Sequence, residues 1–428
     1  MITRGLMHAA RIVTLCAIGW GLPALAQSDP AEPVPQSLRK YYDTLLAEGE
    51  WGAVLNLQRL GLEAIDQGHL DVAARAFDAS LARIELIYAN SDSAKKARSM
   101  WSSEGVKDFK GEPYERAMTY YYRGLLFMAE GDYENARASF RAAEYQDTIS
   151  NNEEYAGDFG MMSLMAGWAS TCAGDTGMAQ DLYQRAATQK PEGLKAPGAG
   201  LNTLVLVESG MAPVKTATGG YGEALTLQTG DNPFVAVLAS GKELPVLADI
   251  GWQAGTLGGR QIDVILDGKA SFRQGSDTVA GLGVAGATVA VSSGDTGAAG
   301  ALAVVGIAAI LVSSATKPKA DIRNWDNLPD RIYGGFLKQG GAVPVAEKTA
   351  DGELYPIESP VIDRTAGRCR LMVYRAHEPG ALRAQPVSNL TAGERKSLLK
   401  RNEARDASFR NEMTRLFVSN GEALAGGE

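Results

Sequence analysis

The chain holds 428 residues, with 42 Lys and Arg against 50 Asp and Glu, a net charge of −8. That length allows two or three domains. An acidic chain without a basic cluster excludes nucleic acid as its main partner.

Residues 1–26 read as a secretory signal peptide. Arg4 and Arg11 form a positive n-region, Ile12 to Leu22 a short apolar stretch, and Ala24-Leu25-Ala26 a small-residue cleavage site. The apolar stretch is too short to span a bilayer comfortably. Cleavage before Gln27 is therefore expected, with the mature chain in the periplasm or cell envelope. Leu15 is too large, directly before Cys16, for a lipoprotein signal. Removing Arg4 and Arg11 leaves 40 of the 42 basic residues against 50 acidic ones. Cys172 and Cys369 remain. An oxidising periplasm would allow them to pair. They fall in different predicted domains, and burial as small apolar residues is the expectation.

The next signal is an internal repeat. Residues 120–143 read YYYRGLLFMAEGDYENARASFRAA. Gly124 and Ala136 let two helices of a hairpin approach closely, Gly131 with Asp132 makes the turn, and Phe127, Tyr133 and Phe140 fill the space within and between hairpins. The frame recurs upstream at Leu57, Leu60, Gly61, Ala64, Gly68, Leu70, Ala73, Phe77 and Ser80. It recurs downstream at Gly167, Gly174, Thr176, Ala179, Tyr183 and Ala186. The turn glycines are separated by 63 and 43 residues, wider than the ~34 of a regular array. Helices are thus extended or inserted between units, most of all over 81–116.

Over residues 50–190 these positions resemble the tetratricopeptide (TPR) repeat superfamily. The middle unit departs from the pattern at Arg123, where leucine is usual, and at Tyr120, in place of tryptophan. More loosely, FKGEPYER (from 109), LVLVESGMAPVK (204–215) and ADIRNWDNLPDRI (320–332) are similar to a bacterial envelope TPR family with GEPYER and ADxRxWxxLP landmarks. That second resemblance implies a location and an architecture and no settled activity. The TPR resemblance implies a concave groove for an extended peptide, lined by the first helix of each hairpin. Carried over, the groove residues are Leu62 and Ile65, then Tyr121, Leu125 and Met128, then Met161, Leu164 and Trp168. All are apolar, which suits a hydrophobic peptide. An exposed apolar face of that size is also a liability, so packing against the chain's own second half is the stronger competing reading.

Composition changes at the Pro/Gly linker 191–200. Beyond it, over 201–390, strand patterns dominate. Leu204–Val207 is a short apolar run. Phe234–Leu238 and Leu244–Ile250 flank a turn at Ser240-Gly241-Lys242. Gln261–Leu266 precedes a turn at Asp267-Gly268, and Arg370–Arg375 places Leu371 and Val373 on one face. Within this β-rich domain, Val279–Ser293 and Ala298–Ala315 are uncharged and rich in Gly and Ala, and they predict an apolar helical hairpin over 279–315. Its second run of 18 residues makes a helix of about 27 Å, at the lower edge of a membrane span. Burial within the domain is the first reading, with membrane contact and self-assembly through small residues as alternatives. Asp321 and Arg323 are expected to pair, with Trp325 as an anchor at a structural corner. Thr391 and Glu394 match a capping box, opening a C-terminal helix and tail over 391–428.

Chemistry is sparse. His69 and His377 are the histidines left after cleavage, and His377 beside Glu378 reads as an ordinary loop histidine. No metal-ligand spacing, phosphate-binding loop or nucleophile elbow occurs. The expectation is an α+β chain: an N-terminal TPR-like all-α helical hairpin array over 27–190, then a smaller β-rich domain and a C-terminal helix. No catalytic residue, metal or cofactor is assigned. The expected function is a non-enzymatic, protein-binding scaffold of the cell envelope that docks a periplasmic or outer-membrane partner through the array. The alternative is a membrane-inserting or self-assembling envelope component acting through 279–315.

Overall fold

The computed structural model describes residues 34–89, 107–148, 157–189, 191, 193–218, 224–228, 232–256, 320–338, 340–376, 388 and 390–418. The expected signal peptide, the Gln261–Leu266 strand, the 279–315 hairpin and His377 lie outside the described residues. The protein is a mixed α+β chain, with helices first and strands later.

The first half runs α1 (Arg39–Glu48), α2 (Ala53–Asp66), α3 (Leu70–Ala89), α4 (Pro113–Glu130), α5 (Tyr133–Thr148), α6 (Gly160–Ala173) and α7 (Thr176–Thr188). Helices α2 and α3, α4 and α5, and α6 and α7 pack as pairs. One contact recurs in all three. A Cβ on Gly61, Gly124 or Gly167 would stand 2.8, 2.6 or 2.7 Å from the ring of Phe77, Phe140 or Tyr183. Only a hydrogen at those positions lets the ring of the second helix press on the backbone of the first. The turns carry Gly68, Gly131 and Gly174 at φ of +75°, +80° and +90°, the left-handed conformation that closes a helix. Helix α4 starts on a capping box between Glu112 and Glu115, with Pro113 in its first turn.

The second half contains β1 (Thr203–Ser209), β2 (Val214–Thr218), β3 (Ala224–Gln228), β4 (Phe234–Ala239), β5 (Lys242–Glu243), β6 (Val246–Asp249), α8 (Ile250–Thr256), β7 (Arg331–Leu337), β8 (Val345–Thr349), β9 (Leu354–Ile357), β10 (Ile362–Ala366) and β11 (Cys369–Arg375). A five-stranded sheet has the order β10-β11-β1-β7-β6, and a four-stranded sheet the order β5-β4-β8-β9; β2 and β3 form a separate pair. Strands β1 and β11 are parallel, whereas β1 and β7 are antiparallel. The five-stranded sheet is the middle layer. Leu204, Leu206, Leu371 and Val373 join the helical core, while Val205, Val207, Met372 and Tyr374 join a second core with Val237, Ala239 and Val345 of the four-stranded sheet. Burial on both faces explains why Leu204–Val207 is apolar without alternation.

Two expectations need correction. Leu244–Ile250 does not form one strand beside β4. Of this stretch, only Leu244 bonds β4, its amide donating to Val237 just after Lys242 and Glu243 pair there. After Leu244 and Pro245 the chain crosses to the other sheet, where β6 pairs with β7, and Ile250 opens α8. Pro245 has no N–H for a ladder, so the crossing falls where pairing is already broken. Nor are Cys172 and Cys369 separately buried thiols. They form a disulfide across 197 residues, from the end of α6 to the start of β11.

After the sheets, α9 (Ala392–Phe417) opens on the Thr391–Glu394 capping box and buries Leu398, Phe409, Met413 and Phe417. It docks on the start of the helical half. The Asp406 carboxylate accepts a hydrogen bond from the Glu50 amide at 3.1 Å, and Phe417 meets Tyr42 edge-on with ring centroids 5.8 Å apart. Gly49, at φ +63°, leaves the space that Asp406 fills; a Cβ there would stand 2.4 Å from its carboxyl carbon.

Candidate functional site

The first helices of the three pairs supply the face on which the sequence places a peptide groove. Leu62, Ile65, Tyr121, Leu125, Met128, Met161, Leu164 and Trp168 all lie on it, and each is at most 3% exposed. The chain's own second half lies against the helices that carry the last six. Helix α4 lies against β10 and β11, and α6 against β6. The Trp168 and Phe336 rings are 5.0 Å apart. An open groove at these eight residues is therefore absent from this structure; they belong to the core between the helices and the middle sheet. The physical reason is the one that makes large apolar faces rare on free surfaces.

Polar groups concentrate where the covering is completed, in two buried clusters. In the first, the β2 residue Lys215 donates from Nζ to Glu112 at 2.7 Å, to Glu115 at 3.2 Å and to the Arg323 carbonyl at 3.1 Å. Glu115 also accepts from the Trp325 amide at 2.7 Å and from the Glu112 amide at 2.6 Å. Arg323 is fully buried. It pairs with Asp321 at 2.7 Å, donates to the carbonyls of Trp51 and Lys107 at 3.0 and 2.8 Å, and lies 4.6 Å from the centre of the Trp51 ring. The expected Asp321–Arg323 pair and Trp325 anchor are both present. Burial opposes the ionised form of Asp321, yet the Arg323 guanidinium holds its carboxyl below the usual range.

The second cluster is centred on Arg375 at the end of β11. Its guanidinium bonds Glu208 of β1 and Asp66 of α2, and donates to the Tyr122 hydroxyl and the Asn327 carbonyl, both at 3.0 Å. Tyr122 in turn donates to Glu208 at 2.8 Å. Burial pushes the Glu115 and Glu208 carboxyls up, while Lys215 and Arg375 beside them pull the other way. Burial also raises Tyr122 well above an ordinary phenol. Lys215, Glu115, Arg323, Glu208 and Arg375 are buried and paired with one another or with neighbouring backbone. The arrangement suits fixing two layers in one register.

Three stretches noted in the sequence thus meet at one place: Glu112 and Glu115 from FKGEPYER, Glu208 and Lys215 from LVLVESGMAPVK, and Arg323 and Trp325 from ADIRNWDNLPDRI. Sequence reasoning quoted the stretches but did not single out Glu208, Lys215 or Arg375. A lone charge inside an apolar strand run was the available signal, since such a residue must find a buried counter-charge.

Outside the joint, the Ser209 hydroxyl donates to Glu347 between the two sheets. Burial pushes the Glu347 carboxyl up to about 7, against that hydrogen bond. Both residues are buried. Among the described residues no group of His, Cys, Asp and Glu is arranged to hold a metal ion. Among them, too, no helix is long and apolar enough to cross a membrane. His69 is half-buried at the first turn, and His377 lies outside the described residues. Comparison of the chain with protein-family models, with curated proteins and with solved structures finds no match.

Proposed function

We propose that the chain is a non-enzymatic protein-binding scaffold of the bacterial cell envelope, built on a TPR-like array that docks a protein partner. The observation that carries this reading is the threefold recurrence of one packing unit. Gly61 on Phe77, Gly124 on Phe140 and Gly167 on Tyr183 repeat one close contact, each followed by a left-handed turn glycine. Stacked helix pairs of this kind build extended recognition surfaces and need no catalytic group. The Cys172–Cys369 bond supports an oxidising compartment, as does the leader-like stretch 1–26. The buried first-helix face adds a condition: docking there requires part of the second half to give way.

Fractionation with native sizing of the extracted protein tests the proposal. A scaffold leaves the membrane with salt and migrates in a complex of fixed composition. Retention through carbonate washing, abolished by deleting 279–315, would replace it with the membrane-inserting reading. A chain that stays monomeric in every extract would remove the scaffold.

A further inference from the structure

The stretch 320–330 has no helix or strand, yet Ala320, Arg323, Trp325 and Leu328 are each at most 1% exposed. Its later residues bond the strand half through the backbone, Leu328 accepting from the Ala212 amide and Asp330 donating to Ser209, while its earlier side chains are held mainly by the helical half. The Arg323 guanidinium lies 4.6 Å from the Trp51 ring centre and 5.3 Å from that of Phe109, in a seat closed by two backbone carbonyls. The Trp325 ring lies 6.2 Å from Phe77 of α3 and 5.7 Å from Tyr122 of α4, and its amide is held by Glu115. Arg59 of α2 donates to the Asp326 carboxylate at 2.7 Å and to the Asn324 carbonyl at 3.2 Å. The turn 49–52 and the loop before α4 thus hold the arginine, α3 and α4 the indole and α2 the carboxylate, while Lys215 of β2 and Arg375 of β11 hold the Arg323 and Asn327 carbonyls from the other side. On the helical side, that is how an array holds a peptide from another molecule. Here the peptide belongs to the same chain.

We propose that residues 320–328 are an internal ligand of the array, and that a partner docks by presenting an Arg-x-Trp-Asp segment that takes their place. This rests on the scaffold reading, and it names the chemistry the partner must carry. An attached segment competes at an effective concentration of about millimolar, so a free segment binds measurably only when the internal one is weakened.

The test uses the full chain and a fluorescent peptide with the sequence of residues 320–330. Trp325→Ala in the full chain should bind this peptide at least tenfold tighter than the unaltered chain does, and a peptide with alanine for its tryptophan should not bind. A folded variant that ignores the peptide overturns the proposal, and so does equal binding by both chains. If the variant does not fold, hydrogen exchange of the unaltered chain decides. Amides of Arg323 and Trp325 should exchange through an opening that leaves Val205 and Val207 protected; exchange of all four in one event overturns the proposal. Neither measurement involves a partner. A negative result therefore removes the internal ligand and leaves the scaffold reading to its own test.

Discussion

The helical half is set by apolar contacts between near neighbours in the chain; its junction with the sheet is set by charges brought from far apart. Gly124 meets Phe140 within one helix pair, whereas Arg375 reaches Asp66 and Glu208 in two different elements and the disulfide spans 197 residues. The difference separates two jobs. Dry close packing stabilises each helix pair. Buried charge adds little net stability once its desolvation is counted, but it admits one arrangement of partners, since any other leaves a charge uncompensated.

Replacing Arg375 by leucine should break the junction most severely. It leaves Asp66 and Glu208 buried with no cation between them, at a cost of about 4 kcal/mol, read as a fall in the urea midpoint. Adding Glu208→Leu to Arg375→Leu should recover part of the loss; no recovery would mean the charges are not the cause. Cutting the covalent link by Cys172→Ser should cost about 3 kcal/mol. Reductant should lower the melting temperature of the unaltered chain and leave that of the variant unchanged.

The pH response sharpens the contrast from inside the second half. The folded chain holds the proton on Glu347 up to about pH 7, above its ordinary value of 4.5. Its stabilising contribution is full below the ordinary value and is lost as pH rises through 7. The unaltered chain should therefore lose about 2 kcal/mol relative to Glu347→Gln between pH 5 and 7; parallel curves for the two proteins would contradict this. The smallest effect belongs to the array. Gly124→Ala pushes the Phe140 ring off the α4 backbone and should cost about 1.5 kcal/mol. Measured next to Arg375→Leu, it shows whether local packing or the junction governs unfolding.

The helix pairs were legible because their determinants lie close together and recur: glycine, turn glycine, alanine and aromatic in one frame around 61–80, 124–143 and 167–186. The strand at Leu204–Val207 was legible too, but its neighbours were not. Leu204 pairs with Leu371 on one side and Phe336 on the other, and nothing local in an apolar run names a partner that far away. The same limit hid the junction. Glu208 and Lys215 stand out as charges among apolar residues, but which charge answers them depends on sheet order. The eight residues placed on a peptide groove are all buried. An apolar stripe says only that something covers it, and the cover here came from the same chain.

Helix α9 joins the two ends of the fold, for Asp406 holds an amide 356 residues earlier in the chain. Synthesis runs in one direction, so the first helices emerge long before the element that seals them. Tyr42 waits for Phe417 and Gly49 for Asp406. Domains fold as units, but this one cannot finish its opening turns until residues 406–417 are present. The apolar surfaces of the opening helices stay uncovered for that interval.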